Sequence, residues 1–361
     1  MNSSLFNSFH QGVLPWYRQH GRALPWRQTQ DPYAIWLSEI ILQQTRVQQG
    51  LPYYQRFLKA FPSLIDLANA HEDDIFSLWQ GLGYYSRARN LHKSAQIIRD
   101  QFDGQFPKTY STILTLPGIG PYTAAAIASF AFQEAKAAVD GNVLRWTSRY
   151  WGYEDPIDLP RTRDYVQTEL DKWIQQCAPD EFNQASMEFG ALICSPIPKC
   201  ESCPIQESCA AFRFDKTQLL PTKSKKVKVE ELQLYAFFFH DGNGHFALER
   251  RAPKGIWSQL YTFPMTITNQ LMSEKELRSW LNKKALPSPQ KNSFKIIYRT
   301  THILTHRKLN VHIFSILLKN MPINSAIFER WISVEETAKL GVPKVFENYL
   351  KTQFPDYAGL I

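Results

Sequence analysis

Residues 116 to 123 read Leu-Pro-Gly-Ile-Gly-Pro-Tyr-Thr, and they constrain the fold of this 361-residue chain more than any other stretch. The segment 110–116 favours a helix, a proline and a glycine end it, and the alanine-rich segment 123–132 starts another helix. This pattern predicts two helices joined by a hairpin. Gly118 and Gly120 let the backbone approach a partner closely, and the free N–H groups that begin the second helix favour a phosphate.

An ordinary helix-turn-helix corner is the alternative interpretation of this segment. A lone Gly-x-Gly would be weak evidence against that alternative. Here, however, Leu116 and Ile119 can anchor the hairpin, and Asp140 follows Gly120 after twenty residues. This context favours a hairpin that binds the phosphate backbone of a nucleic acid.

Size and charge indicate a globular chain that tolerates a polyanionic partner. The length suffices for two or more domains, and 44% of the residues are hydrophobic. Lys and Arg number 41 against 33 Asp and Glu, so the net charge is +8, which permits nucleic-acid binding without demonstrating it. Since no run of about 18 apolar residues and no apolar leader occur, we expect a soluble, intracellular protein whose cysteines do not form a disulfide framework.

Four of the five cysteines lie close together, as Cys194, Cys200, Cys203 and Cys209. One Cys-x2-Cys pair flanked by two solitary cysteines is typical of a single compact centre with four thiolates. The spacing favours an iron-sulfur cluster over structural zinc, with incidental thiols as a third interpretation, although spacing alone does not separate the first two. The fifth, Cys177, is expected to be a small buried hydrophobe.

A lysine-rich segment divides the chain into two differently patterned parts. Helical periodicity recurs before it, over 33–49, 51–61, 71–80, 86–102, 143–151, 162–176 and 181–194. Strand-like runs follow it, over 232–239, 246–250, 294–298 and 309–317, with helices near 273–284 and 334–352. The predicted organisation is a helical domain over 1–215, a basic linker over 216–231 and a mixed domain over 232–361.

Two carboxylates lie where a bond to an anomeric carbon could be cleaved. Glu39 shares a helix face with apolar residues, which raises the pKa of a carboxyl and makes it an acid near neutral pH. A structural hydrogen bond is the alternative role. Asp140 precedes the helical segment 143–151, so it is expected to cap that helix, where it can also stay ionised beside a cation. Together they allow N-glycoside cleavage on DNA.

Three sequence blocks carry a resemblance to a known family. They are Ser-Glu-Ile-Ile-Leu-Gln-Gln-Thr at 38–45, Gly-Leu-Gly-Tyr-Tyr-Ser-Arg at 81–87 and Val-Asp-Gly-Asn-Val at 139–143. With the hairpin and the four cysteines, they resemble the adenine DNA glycosylases (MutY family) of the helix-hairpin-helix, endonuclease III superfamily, over essentially the whole chain. The resemblance implies a mostly α glycosylase domain with an iron-sulfur lobe, followed by an α+β Nudix-like domain that recognises the lesion.

The same resemblance implies a reaction and the residues that perform it. Adenine paired with 8-oxoguanine or guanine would be flipped out of duplex DNA and removed, as in base excision repair. Glu39 would protonate N7 of adenine, Asp140 would stabilise the oxocarbenium ion, and Tyr122 and Asn142 would orient them. The further implied contacts are Arg27 and Gln184 with the adenine, and Gln44, Thr45, Leu82, Tyr84, Gly118 and Gly120 with DNA. Packing in a loop is the alternative for Leu82 and Tyr84, and a solvated helix position for Gln44 and Thr45.

One residue of the hairpin separates two chemical subclasses of the superfamily. Bifunctional members carry there a lysine whose amine attacks the sugar and leads to strand cleavage. This chain has Tyr122 instead, which has no amine. The resemblance therefore implies a monofunctional glycosylase, without efficient AP lyase activity, that leaves an intact abasic site.

The chain departs from the family pattern at two places. The first cysteine gap encloses five residues, where six are usual, which puts the geometry of the implied 4Fe-4S cluster in question and keeps structural zinc as the alternative. The C-terminal region lacks the glutamate-rich Nudix box, so binding rather than pyrophosphate hydrolysis follows, and Leu304, Thr305 and His306 replace the usual Phe-Ser-His of the recognition loop. We expect a monomeric, cytoplasmic protein of bacterial type, without a membrane partner and associated with the nucleoid when bound to DNA.

Overall fold

The chain forms two compact units, and each of them consists of two separate segments of the sequence. The computed structural model describes residues 3–224, 229–288, 294–304, 306–318 and 328–359. The first unit comprises Met1–Asn69 and Asn90–Lys226, and the second comprises Ala70–Arg89 and Val227–Ile361. The sequence pattern predicted two continuous domains, whereas the segment 70–89 groups with the C-terminal unit. Within the ranges described, no helix is both long and apolar enough to span a membrane.

The first unit is helical. The helices up to residue 213 are α1 (Ser3–His20), α2 (Pro32–Leu42), α3 (Val47–Ala60), α4 (Leu64–Asn69), α5 (Glu72–Trp79), α6 (Ser86–Gln101), α7 (Tyr110–Ile113), α8 (Pro121–Phe132), α9 (Gly141–Trp151), α10 (Pro160–Ile174), α11 (Pro179–Leu192) and α12 (Ala210–Arg213). Of these, α5 and the first turn of α6 belong to the second unit. One apolar core joins α1, α9, α10 and α11, and at its centre the rings of Phe9 and Trp146 stack with centroids 5.2 Å apart.

The predicted hairpin is present between α7 and α8. Gly118 has a φ of +76°, which favours glycine, and a Cβ added there would lie 2.6 Å from the Cβ of Asn90. Gly120 precedes the first turn of α8, and a Cβ added there meets nothing within 4 Å. Leu116 and Ile119 are buried and anchor the turn. The glycine-containing hairpin is therefore open at Gly120, where a partner backbone can approach.

The helix predicted over 33–49 is interrupted by a turn that contains two of the candidate residues. Asp31 caps α2 by accepting hydrogen bonds from the backbone N–H groups of the first turn. However, α2 ends at Leu42, α3 begins at Val47, and Gln44 has a φ of +57°. A Cβ added at Gly50 would lie 2.7 Å from Leu42 Cδ2, so glycine lets α3 fold back against α2. Gln44 and Thr45 thus lie in a turn rather than on a helix.

The second unit is built on a mixed sheet. Its strands are β1 (Glu230–His240), β2 (His245–Arg250), β3 (Tyr261–Thr262), β4 (Met265–Thr268), β5 (Ile296–Ile303), β6 (Arg307–Leu317) and β7 (Arg330–Ser333). The hydrogen-bonded order is β3-β2-β1-β6-β5, with β4 also paired to β1 and β7 to β2. The central strands β1 and β6 are parallel, with Leu234 opposite Val311. The predicted α+β fold is confirmed.

Helices cover both faces of this sheet. They are α13 (Glu274–Lys283), α14 (Val334–Thr337) and α15 (Lys344–Gln353), so the helix predicted over 334–352 is two separate helices. Side chains of β1 alternate between two apolar clusters: Phe238 packs in the cluster that includes Tyr349 of α15, and Phe237 in the cluster that includes Leu281 of α13. This alternation explains why β1 reads as a continuous apolar run.

Several side-chain contacts tie α5 and the following loop into the second unit. Arg250 Nη2 lies 2.7 Å from Glu72 Oε2, and Arg89 Nη2 donates to the carbonyl oxygen of Ser258 at 2.7 Å. A Cβ added at Gly341 would lie 3.3 Å from Tyr85 Cε1, so that ring packs closely against the C-terminal segment. The loop 80–85 is therefore supported by residues that are far away in sequence.

Candidate active site

A cleft of about 800 Å³ in the first unit brings together eight of the residues that the sequence analysis singled out. The members predicted from sequence are Arg27, Glu39, Gln44, Thr45, Tyr122, Asp140, Asn142 and Gln184. They come from the short 3-10 helix Pro25–Arg27, from α2 and the turn after it, from the starts of α8 and α9, and from α11. The hairpin before α8 and the cap of α9 thus place Tyr122 and Asp140 opposite the buried face of α2.

Glu39 is a buried acid at one side of this cleft. Only 7% of the residue is exposed. Burial raises the pKa of its carboxyl to about 7; a hydrogen bond from Tyr122 and the charge of Arg27 oppose this rise, while the charge of Asp140 adds to it. A substantial fraction of Glu39 therefore carries a proton near neutral pH and can donate it to a leaving group.

Tyr122 lies beside Glu39 and keeps its own proton. Burial raises the pKa of its hydroxyl well above the usual value, and the charges of Glu39 and Asp140 add to this rise. The hydroxyl oxygen also lies 3.8 Å from Met187 Sδ. Tyr122 is consequently a protonated hydrogen-bond donor to Glu39 that also senses the charge of Asp140, and it has no nucleophilic amine.

Asp140 caps α9 and is held by short hydrogen bonds. The backbone N–H of Val143 donates to its Oδ1 at 2.8 Å, and the Nδ2 of Asn142 donates to its Oδ2 at 2.6 Å. Burial raises the pKa of the Asp140 carboxyl, and these donors together with the charge of Arg145 oppose the rise. Each donor stabilises the ionised form, so the helix start offsets part of the cost of burying this carboxylate at the cleft.

Arg145, which the sequence analysis did not identify, fixes the orientation of Asn142. Its Nη2 donates to Asn142 Oδ1 at 2.8 Å, so the Nδ2 of the same amide faces Asp140. The Nε of Arg145 donates to the carbonyl oxygen of Cys194 at 2.9 Å. The only sequence signal for this role is the spacing of three residues on α9 between Asn142 and Arg145.

A buried ion pair forms another wall of the cleft and was also missed. Glu188 of α11 accepts hydrogen bonds from Arg22 Nε and Nη2, both at 2.7 Å, and from Arg27 Nη2 at 2.8 Å. Its side chain is 1% exposed. Burial would raise the pKa of Glu188, but the two guanidinium groups outweigh it and lower the pKa to about 2. Glu188 therefore stays ionised and fixes both arginines at the cleft.

The other candidate DNA contacts lie outside this cleft. Leu82 is 6% exposed and Tyr84 is 50% exposed, with a φ of +49° at Tyr84. Arg87 shapes their loop by donating from Nη2 to the carbonyl oxygens of Leu82 and Gly83, both at 3.2 Å. Tyr84 thus presents an exposed ring, whereas Leu82 packs inside its own unit.

The recognition loop predicted in the C-terminal domain lies at the turn between β5 and β6. Leu304 packs against the apolar core of the second unit, and His306 is exposed. Thr305 lies outside the described residues. The ring of His302 lies 5.7 Å from that of Trp257, and burial lowers the pKa of His302.

The four clustered cysteines line one cavity in the first unit. Trp146, Arg149 and Phe212 also line it. Arg149 Nη1 lies 3.6 Å from Cys194 Sγ; burial raises the pKa of that thiol, and the charges of Arg149 and Arg145 oppose this. In the described ranges, no three His, Cys, Asp or Glu side chains are arranged to hold a single metal ion. Four thiols are the donor set of an iron-sulfur cluster and also of a four-cysteine zinc site.

Comparison with known proteins identifies two domains. Residues 37–176 match the HhH-GPD superfamily of base excision DNA repair proteins, and residues 235–352 match the NUDIX domain. The structure of a thermostable thymine-DNA glycosylase superposes on 59% of this chain and 98% of its own, with a TM-score of 0.55 and 28% sequence identity. The helix-hairpin-helix fold is thereby confirmed for the N-terminal part.

Similarity to whole proteins extends over both domains. The adenine DNA glycosylase of Buchnera aphidicola subsp. Baizongia pistaciae is 35% identical over 93% of this chain and 93% of its own length. That of Mus musculus is 31% identical over 95% of this chain and 78% of its own length. This chain belongs to the adenine DNA glycosylase family of base excision repair proteins.

Proposed function

We propose that this protein is a monofunctional glycosylase that hydrolyses the bond between adenine and deoxyribose where adenine is paired with 8-oxoguanine or guanine in duplex DNA. It acts as a monomer associated with chromosomal DNA. The observation that carries the proposal is that one cleft contains both Glu39, a buried acid whose pKa is about 7, and Asp140, which caps α9. Family membership supports adenine as the base.

The two carboxyl groups have different roles in the proposed reaction. Glu39 gives its proton to N7 of the flipped adenine, and the C–N bond breaks with its electron pair going to the base. The sugar then carries positive charge, which the anion of Asp140 stabilises. Water adds to the anomeric carbon, and its proton returns to Glu39. Tyr122 and Asn142 hold the two carboxyl groups in place throughout.

Substrate binding uses groups on two sides of the cleft. Arg27 and Gln184 contact the extruded base, and their placement in the cleft supports this role. The open hairpin at Gly118 and Gly120 receives a DNA phosphate, since backbone N–H groups at the start of α8 carry partial positive charge. A net charge of +8 favours this polyanionic partner.

Recognition of the opposite base is assigned to two sets of residues. Gln44, Thr45 and Tyr84 enter or border the duplex, with the exposed ring of Tyr84 available for stacking on a base, and the buried Leu82 supports the loop that carries Tyr84. Leu304, Thr305 and His306 contact 8-oxoguanine from the C-terminal domain. Because the sequence lacks the glutamate-rich Nudix box, that domain binds the lesion and hydrolyses no pyrophosphate.

A set of duplexes that differ only in one base pair tests the function. Adenine is placed opposite 8-oxoguanine, guanine, cytosine or thymine, and product is measured with and without hot alkali. We expect base release from the first two, with strand breaks only after alkali, because Tyr122 supplies no amine for a Schiff base. Strand cleavage without alkali at the rate of base release would contradict the monofunctional assignment.

We further propose that Cys194, Cys200, Cys203 and Cys209 hold one 4Fe-4S cluster, with structural zinc as the alternative. When bound, such a cluster would cross-link residues 194–209 through these four thiolates. Four thiols around one cavity fit such a group, and Arg149 and Arg145 offset part of its negative charge. This fit persists although the first cysteine gap is one residue shorter than is usual.

Metal content distinguishes the two alternatives. Protein purified without oxygen should contain about four irons per chain and be yellow-brown. The measurement is elemental analysis together with the visible absorption spectrum. Stoichiometric zinc without iron in the same preparation would favour the alternative instead.

A further inference from the structure

Tyr17 forms a hydrogen bond with Gln184, one of the two residues proposed to contact the extruded base. The hydroxyl of Tyr17, on α1, donates to Gln184 Oε1, on α11, at 2.5 Å. Gln184 lines the cleft, and the two residues are 167 positions apart in the chain. Neither the sequence analysis nor the family motifs give Tyr17 a role.

The ring of Tyr17 is confined on two sides. A Cβ added at Gly21 would lie 2.7 Å from Tyr17 Cε2, so only glycine leaves room for the ring there. On another side the guanidinium carbon of Arg27 lies 5.7 Å from the ring centroid. Burial also raises the pKa of Tyr17, which keeps the hydroxyl protonated. A phenol held in this way is a fixed hydrogen-bond donor.

A donor at this point decides which end of the Gln184 amide faces the cleft. A glutamine amide has an oxygen that accepts and a nitrogen that donates, and an unrestrained amide turns over at little cost. Because Tyr17 donates to Oε1, the nitrogen is left to face the substrate. Arg27, beside it in the cleft, can only donate. These two residues therefore both offer donors to the base, the Nε2 of Gln184 and the guanidinium of Arg27.

We propose that Tyr17 is a positioning residue that determines base specificity by fixing the orientation of the Gln184 side-chain amide. This inference rests on the proposed function. Hypoxanthine differs from adenine by an oxo group in place of the amino group and by an N–H in place of bare N1. Hypoxanthine therefore has an acceptor where adenine has the amino donor, and a donor where adenine has the N1 acceptor. An amide held in one orientation matches only one of the two bases.

The test compares adenine with hypoxanthine, each placed opposite 8-oxoguanine, by single-turnover rates. Tyr17→Phe keeps the ring contacts with Gly21 and Arg27 and removes only the hydroxyl. We expect the preference for adenine to fall by about tenfold, the worth of about one hydrogen bond. Arg18→Ala is the matched control, since Arg18 joins α1 to Glu181 of α11 at 2.5 Å through an exposed ion pair, and its preference should equal that of the wild type.

A double-mutant cycle separates positioning from packing. If Tyr17 acts through the amide, Tyr17→Phe has no further effect on the preference in a Gln184→Ala background. Equal slowing of both bases by Tyr17→Phe, with an unchanged preference, would overturn the inference while leaving adenine release by the wild type intact. A wild-type protein that releases no adenine would instead refute the proposed function itself.

Discussion

Glu39→Gln is expected to lower the single-turnover rate of adenine release by about 10²- to 10⁴-fold while DNA affinity persists. The amide has nearly the shape of the carboxyl and keeps a hydrogen-bonding group beside Tyr122, but it has no acidic proton to give to N7. The phosphate contacts proposed for the hairpin are untouched. Rates with enzyme in excess and equilibrium binding to an uncleavable duplex measure the two quantities separately.

The pH dependence gives an independent check on the same residue. Because burial raises the pKa of Glu39 to about 7, the wild-type rate should decline as pH rises through that value and the proton is lost. The residual rate of Glu39→Gln should lack this decline. A raised pKa in the folded protein also means that ionisation costs stability as pH rises through about 7, so the variant should unfold at no lower temperature than the wild type at pH 8.

A second buried glutamate provides the matched control. Glu169 of α10 is also 7% exposed and pairs with Lys172 at 2.6 Å, but it is not among the residues that line the cleft. Glu169→Gln should therefore leave the single-turnover rate near that of the wild type. A comparable loss in both variants would indicate that removal of any buried carboxyl, rather than of the proposed acid, explains the effect.

The parts of the site that could be predicted from sequence depend on local spacing. Asp140 caps the helix that starts one residue later, and Gly118 provides the positive φ of a hairpin, so both follow from a few neighbouring residues. The raised pKa of Glu39 was predicted from the apolar residues on its helix face. These predictions needed no knowledge of what lies across the cleft.

The parts that could not be predicted depend on distant pairs or on competing patterns. Glu188 and Arg22 are 166 positions apart, Arg22 lies in the loop after α1, and no periodicity of α11 marks their ion pair. The break after α2 escaped detection because apolar periodicity continues on both sides of it, and the close approach of Gly50 to Leu42 that accompanies the turn is not visible in the sequence. For the same reason, the grouping of residues 70–89 with the C-terminal unit required the three-dimensional contacts of Arg250 and Arg89.

Asp140→Asn is expected to lower the single-turnover rate by about 10²-fold or more, with little effect on DNA affinity. Asparagine caps helices as well as aspartate does, so its oxygen can still accept from the Val143 N–H, and α9 should persist. The charge is lost, and the new amide nitrogen, a donor, faces the Nδ2 of Asn142, which is also a donor. Arg145 holds the Asn142 amide in that orientation by donating to its Oδ1. The cation formed at the sugar then faces a neutral side chain.

Asp31→Asn is the control that separates charge at the site from the capping of a helix. Asp31 accepts from the backbone N–H groups of Tyr33 at 3.0 Å and Ala34 at 3.3 Å, and it does not line the cleft. The same chemical change there should leave the rate near that of the wild type, since the cap survives and no reacting atom is close. A near-normal rate for Asp140→Asn would show that the anion is unnecessary, and cleavage would then depend on proton transfer from Glu39 alone.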